Sequence, residues 1–526
     1  NKILLGAAIS LASLQVTAQP FAPTDARGMA MGGTGVAAAK TVHSVQYNPS
    51  LLSGGDDSDD FGLLLPQFGG YVADEDEFID SADEFADADY AGDFTTAFDQ
   101  IEGSLSSATN SFTAVNTAID NDDLAALTAA NATLASDVAT LRAGTVNLQG
   151  ATGLLTSGLT GLSGKPLRGG LGGGAAIAIP SKKFSVAISA NNNTSFTGFL
   201  DFSEEDSSTL INYTNALAAY TEELDRYATA SSEATTALEA IDAAGVGVTP
   251  EQLQALDDAQ ADLTTAKDNL DTFSYGGVPG EGDQVIFTGG DLDPSANEIT
   301  LTSEVNIVAV AISEVALSIS REFTIMDRQV AIGLTPKLQR VDAYHYVVNV
   351  EDETETDDVS DFGVEDNGFN LDIGASTKFG AEQQGTFGVV IKNLVSKDIT
   401  TQRNGPNSTT IDGIDVSISP QVRVGVAYQA LGWVNLAADL DLTENDPIAF
   451  EDPTQFASFG AEADVFGFLQ LRAGYRTNLA SSGQNVVSGG FGISPFSLFH
   501  VDLGAYANTS DPEKEAGVVF ELGIDW

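Results

Sequence analysis

From residue 368 onward the chain alternates apolar and polar residues in short runs, and the links between the runs alternate in length. Phe369, Leu371, Ile373 and Ala375 alternate with Asn370, Asp372, Gly374 and Ser376. Leu469, Leu471, Ala473 and Tyr475 oppose Gln470, Arg472, Gly474 and Arg476, and the terminal Val518, Phe520, Leu522, Ile524 and Trp526 oppose Val519, Glu521, Gly523 and Asp525. Successive side chains of a strand point to opposite faces, so each run is a strand with one apolar and one mostly polar face. Tight links such as ALGW (430–433) and DVFG (464–467) take turns with long polar ones such as DITTQRNGPNSTTIDG (398–413) and TENDPIAFEDPTQ (443–455). Consecutive links of an antiparallel sheet fall at opposite ends, so one end is trimmed and the other elaborated. Barrels of the outer-membrane type have that asymmetry; a soluble sandwich has no reason for it.

The pattern predicts fourteen strands, at 61–72, 170–180, 183–203, 299–322, 328–350, 368–379, 385–396, 414–430, 433–443, 456–465, 468–478, 485–494, 498–508 and 517–526. The expected fold is all-β, a 14-stranded antiparallel transmembrane β-barrel over residues 60–526. The two strands of 299–350 exceed the roughly 9–11 residues that cross a bilayer, and should project outward as a hairpin. Two insertions interrupt the first strands, both on the outer, extracellular side by this count. Residues 73–168 carry no Lys or Arg before Arg142 and turn into a helical pattern at Leu124, Leu127, Leu134, Val138 and Leu141. Residues 204–297 read as a helical hairpin, with Leu217, Tyr220, Leu224 and Tyr227 on one arm and Leu256, Leu263 and Leu270 on the other. Thr249-Pro250-Glu251-Gln252 supplies an N-cap, a proline at the first helical position and a capping-box glutamine for the second arm.

Residues 1–18, with Lys2 before an apolar run and Val16-Thr17-Ala18 as a cleavage site, read as a signal peptide, so the chain is expected to be exported. No cysteine is present, which rules out disulfides and thiolate metal sites. Twenty-two basic against seventy-five acidic residues give a net charge of −53. Such a surface repels nucleic acid and attracts divalent cations to its acidic loops, or basic partners. His43, His345 and His500 are the only histidines, and none stands in a nucleophile motif. No catalytic residue, cofactor or metal site is expected; His500 beside Asp502 reads as an ordinary polar pair.

The stretch FAPTDARGMAMGGTGVAAAKTVHSVQYNPSLLS (21–53) lacks the Gly-Lys-Ser/Thr and the preceding strand of a phosphate loop. It resembles the N-terminal hatch of FadL-type outer-membrane barrels, whose "GxA…NPA-L" segment folds back inside a fourteen-stranded barrel. Here Gly32, Gly33 and Gly35 are followed by Asn48, Pro49 and Ser50, with serine in place of the usual alanine. The ARGMAMGGTGVA opening and the acidic helical insertions are most similar to the branch labelled conjugal transfer TraF-like proteins. The resemblance implies a hatch or plug at residues 19–59 inside the lumen, near its periplasmic half. It also implies a terminal β-signal at Phe520, Leu522, Ile524 and Trp526, read by the outer-membrane assembly machinery. The implied location is the outer membrane of a Gram-negative bacterium, in contact with its lipid and lipopolysaccharide.

The inward faces of the strands carry mixed charges: Lys337, Lys378, Arg423, Arg472 and Arg476 against Asp372, Asp439, Asp441, Glu462 and Asp502. Two functions follow. One is a hatch-gated conduit for small molecules, hydrophobic ones among the candidates, although no apolar pocket is legible in the sequence. The other is a surface interaction or assembly protein, with a non-conducting barrel and an unidentified surface partner for its helices.

Overall fold

The computed structural model describes residues 25–54, 61–276, 285–293, 301–349, 363–405, 409–445, 450, 452–494 and 499–525. The expected signal peptide and Trp526 lie outside the described residues. Fourteen strands form an antiparallel meander: β1 (Gly62–Ala73), β2 (Leu167–Ile179), β3 (Ser185–Asp201), β4 (Glu304–Ile325), β5 (Arg328–Asn349), β6 (Gly363–Phe379) and β7 (Gly385–Lys392) make its first half. The second half is β8 (Gln421–Leu431), β9 (Val434–Asp441), β10 (Phe456–Val465), β11 (Leu469–Asn478), β12 (Asn485–Ile493), β13 (Phe499–Asn508) and β14 (Glu515–Asp525). Each strand pairs with the next, and β1 pairs with β14 to close the barrel.

Alternation places the faces as the sequence predicts. On β14 Val518 and Phe520 are exposed, Leu522 and Ile524 are half-exposed, and Val519 and Glu521 are buried. On β1 the ladder is broken: pairing shifts register after Leu64 against both β2 and β14. Pro66 sits in that break and has no N–H to donate to a ladder.

Two expectations need correction. The strand expected at 414–430 is split, because Thr409–Ile418 pairs with Lys397–Gly405 as a separate hairpin and β8 starts only at Gln421. Pro420 separates the two, since it cannot continue a ladder. The hairpin's Ile399, Val416 and Ile418 pack on Val308 and Val310 of β4 and on Val341 and Ala343 of β5. The 22-residue β4 and β5 are thus covered by the hairpin where they rise at the long-link end.

The second correction is to the class, which is not all-β. The insertions hold α1 (Phe78–Asp87), α2 (Tyr90–Asp120), α3 (Leu124–Leu162), α4 (Glu204–Ala244) and α5 (Pro250–Asp271). Instead of folding separately, the two insertions share one core, in which Ile101, Val115, Leu134 and Leu141 meet Leu217, Leu224 and Tyr227. Polar contacts join them: Asn131 donates to the Thr235 hydroxyl at 2.7 Å, and the Tyr227 hydroxyl donates to Asn116 at 2.9 Å. The capping box at Thr249 and Gln252 forms as expected. By length and composition α3 is apolar enough to cross a membrane, but Leu127, Leu134, Val138 and Leu141 bury one of its faces in the bundle.

At the foot of α4 a buried carboxylate ties the bundle to the barrel. Asp206 accepts the Thr302 N–H at 2.8 Å and the Ser303 N–H at 2.7 Å, together with both hydroxyls. Burial alone would raise its pKa, but these hydrogen bonds outweigh burial and hold it below the ordinary carboxylate value.

Candidate functional site

Residues 25–54 contain only short helical turns, Ala26–Ala30, Val42–Val45 and Leu51–Gly54. A segment so short of large apolar side chains cannot bury a core of its own, and its turns are buried instead against the inward face of the strands. Asp25 caps the first turn through the Gly28 N–H at 2.6 Å and accepts the Tyr47 hydroxyl, which holds the two ends of the segment together. Gly32 and Gly33 adopt φ of +73° and +87°, a turn that other residues enter only with strain.

The expected plug residues are brought together on the wall. The Gly32 N–H donates to Ser488 Oγ at 2.9 Å, and the Gly35 and Val36 N–H groups donate to Asp439 at 2.7 and 2.9 Å. Asn48 Nδ2 donates to the Val36 carbonyl at 2.9 Å and to the Ala375 carbonyl at 3.3 Å, while its Oδ1 accepts the Ser50 N–H at 3.1 Å. Ser50 Oγ donates to Asn48 Oδ1 at 2.7 Å and lies 2.9 Å from Ser376 Oγ. Pro49 is buried between them. The Asn-Pro-Ser turn therefore ties the segment to itself and to β6.

The wall is shaped for this contact by absent side chains. A Cβ at Gly374 would lie 2.0 Å from Asn48 Oδ1, one at Gly333 2.4 Å from the Pro49 carbonyl carbon, and one at Gly388 2.4 Å from the Val36 oxygen. On the far side, Cβ atoms at Gly460, Gly474 and Gly504 would come within 2.5 Å of Met31, Gly32 and Ala26 respectively. Across the ladder Gly333 faces Gly374, Gly388 faces Gly425, and Gly460 faces Gly474. The seat is a belt of glycines running from strand to strand. Sequence analysis missed it, although glycine recurring on the polar phase of successive strands is its signal.

The expected charge network forms in part as drawn. Arg423 pairs with Asp441, and Lys337 lies 3.0 Å from Asp372 and 3.0 Å from Glu314. Arg472 lies 2.7 Å from Glu462 and also pairs with Asp502. Arg476 pairs at 3.1 Å with Glu515, an acid outside the expected set, and Asp439 serves the backbone of the segment. Lys378 is half-buried at the end of β6. Glu462 also accepts Arg27 at 2.8 Å, so one buried carboxylate joins the segment to the wall.

Asp502, the expected neighbour of His500, pairs with Arg472, and His500 reaches toward Glu521. His43 Nε2 lies 2.6 Å from Glu521 Oε1, and His500 Nε2 lies 3.6 Å from the same oxygen. All three side chains are buried. This cluster joins positions far apart in the chain, which no local spacing reveals. Among the described residues it is the group with the ligands to hold a metal ion.

A cavity of about 1050 Å3 opens beside the break in β1. Pro66, Gln67, Phe68 and Leu171 line one side and Val315 and Leu338 the other. Gln67 is fully buried, and neither its Oε1 nor its Nε2 has a hydrogen-bond partner.

A family model described as "F plasmid transfer operon, TraF, protein" matches residues 45–441. The chain belongs to that TraF family. The TraF match runs from the second half of the buried segment, through both helical insertions, to the end of β9. No curated protein sequence matches the chain. Among solved structures, the chain is similar to the Pseudomonas putida toluene transporter TodX at 9% identity and a TM-score of 0.39, covering 97% of this chain and 98% of that one. It is similar to the CymD monoaromatic hydrocarbon channel at 8% identity and a TM-score of 0.39, covering 97% and 96%. CdiB from Acinetobacter baumannii follows at 9% identity and a TM-score of 0.26, covering 69% and 51%. Likenesses of this degree carry no function across.

Proposed function

We propose that this TraF-family chain is an outer-membrane barrel, its trimmed end in the periplasm and its helical bundle outside. Residues 25–54 act as a lumenal plug, and small apolar molecules pass along the wall beside it. The cavity at the break in β1 carries this reading. Its lining is mostly apolar, as a path for small apolar molecules requires. A purified barrel reconstituted in liposomes should take up small aromatic or aliphatic probes faster than empty vesicles. Phe68→Asp with Leu171→Asp should abolish the difference, and equal uptake by wild type and empty vesicles would sink the conduit. Deleting residues 21–50 should raise ion conductance in planar bilayers while the barrel stays heat-modifiable on detergent gels. No gain in conductance would mean the plug is not the closure.

The shared bundle favours a second reading, in which the barrel is a mount. Four long helices with their own core are more than a small-molecule pore requires. Removing residues 78–162 and 204–271 together should leave uptake intact and abolish partner capture at the cell surface. Loss of uptake instead would tie the helices to conduction.

A further inference from the structure

Two of the chain's three histidines converge on one glutamate at the junction between plug and wall. His43 comes from the 3-10 turn Val42–Val45, His500 from the start of β13 and Glu521 from β14. Their exposures are 3%, 5% and 0%. In the β13–β14 ladder His500 faces Gly523 and Asp502 faces Glu521, so His500 and Glu521 are diagonal neighbours on the inward face. A Cβ at Gly523 would lie 2.0 Å from His500 Nε2; glycine there lets the imidazole lie across the strand toward Glu521.

We propose that His43, His500 and Glu521 bind one divalent transition-metal ion of the zinc class, and that this ion staples the plug to β13 and β14. The chemistry follows from the donors. Two imidazoles and one carboxylate suit zinc and its neighbours, whereas calcium and magnesium take oxygen ligands. Metal–ligand bonds near 2.0 Å in a tetrahedron hold ligand atoms about 3.3 Å apart. The existing separations of 2.6 and 3.6 Å straddle that value, and all the ligand atoms lie within 4.8 Å of one another. Small rotamer shifts therefore admit the ion. The Ala26 N–H donates to Glu521 Oε2 at 3.3 Å, which leaves Oε1 directed at both imidazoles and orients the carboxylate from outside the ligand set. Three protein ligands leave one position for water. The site lies near the trimmed end, since His500 is the second residue of β13 and Glu521 precedes the end of β14 by four residues.

The test uses the full-length barrel in detergent, stripped with chelator and titrated with zinc in excess magnesium to occupy acidic loops. One zinc should bind per chain, and cobalt in its place should give the intense visible absorption of a tetrahedral N/O site. His43→Gln and His500→Gln should each weaken zinc at least tenfold, while His345→Gln should leave it unchanged. His43 lies on the plug, so its variant keeps the barrel strands intact, which heat-modifiability on a gel verifies. Zinc should also raise the unfolding temperature of wild type but not of His43→Gln. Binding that magnesium competes away, or equal zinc affinity in wild type and both histidine variants, would overturn the proposal.

Discussion

Arg27 and Glu462 stand 435 residues apart and meet in a buried bidentate pair, with Nε and Nη2 donating to the two carboxylate oxygens at 2.8 and 3.0 Å. Arg472 lies 2.7 Å from the same carboxylate, so Glu462 balances one cation from the plug and one from the wall. Removing one partner of a buried pair costs about 3–5 kcal/mol when it leaves a bare charge. Here Arg472 stays, and Arg27→Met should fall at or below the low end of that range. The variant should free the plug before it unfolds the barrel. Because the chain has no cysteine, Ser44→Cys reports on the plug by thiol labelling. Labelling should be slow in Ser44→Cys alone and fast when Arg27→Met is added; equal rates would show that the ion pair does not hold the plug.

The glycine seat makes a sharper demand. Gly374→Ala puts a methyl group 2.0 Å from Asn48 Oδ1, and Gly388→Ala another 2.4 Å from the Val36 oxygen. Overpacking of this kind costs about 1–3 kcal/mol. The plug should give way, because the wall is held by its ladders. Gly489→Ala is the control, since its nearest contact would be the Arg472 carbonyl at 3.7 Å. Single-channel recordings should show raised conductance for the first two and wild-type traces for the third.

The outward face of β14 carries a separate expectation. Replacing Phe520 and Leu522 with Asp places charge on the face read as lipid-contacting, where a basic residue costs about 2–4 kcal/mol at mid-depth and an acid somewhat less. Two such changes in the strand that closes the barrel should block assembly. The check is the amount of heat-modifiable protein recovered in outer-membrane fractions, and normal recovery would refute a lipid-facing β14.

Asp206 gives a pH dependence with a definite sign. Its carboxyl titrates below its ordinary value in the folded state, so the carboxylate contributes stability above about pH 4 and loses it as pH falls through the lowered pKa. Asp206→Asn should therefore lower the helical melting temperature at pH 7, by an amount corresponding to about 1–3 kcal/mol. The gap between variant and wild type should shrink toward pH 3. A gap that is constant with pH would mean that the contact is steric.

The barrel was legible because period-two alternation and link length are local properties, as in Leu469–Arg476, and they placed Arg423, Asp441, Glu462 and Arg472 on the face where the network forms. The helices were legible for the same reason, from the spacing of Leu217, Tyr220, Leu224 and Tyr227. Which elements meet was not legible. Nothing near Asn131 announces Thr235, and the hairpin at 397–418 was hidden because 398–413 reads as a loop and 414–418 as the start of the next strand. The charge network was read one strand at a time, so Arg476 was matched with the wrong acids, and Glu521 was recognised as inward-facing without its histidines. Alternation assigns a side chain to a face; closure of the sheet and the path of the plug decide what it faces there.

The closing of β1 against β14 also decides where the plug can latch. The plug segment precedes β1 in the chain, yet two of its anchors, the Ala26 N–H and His43, reach Glu521 on β14, the strand that closes the barrel onto β1. Without β14 docked on β1 the barrel has an open seam, and the plug segment has no counterpart for these two contacts. Sealing the seam and seating the plug thus converge on one residue, so a chain cut short before β14 would be left unlatched as well as unclosed.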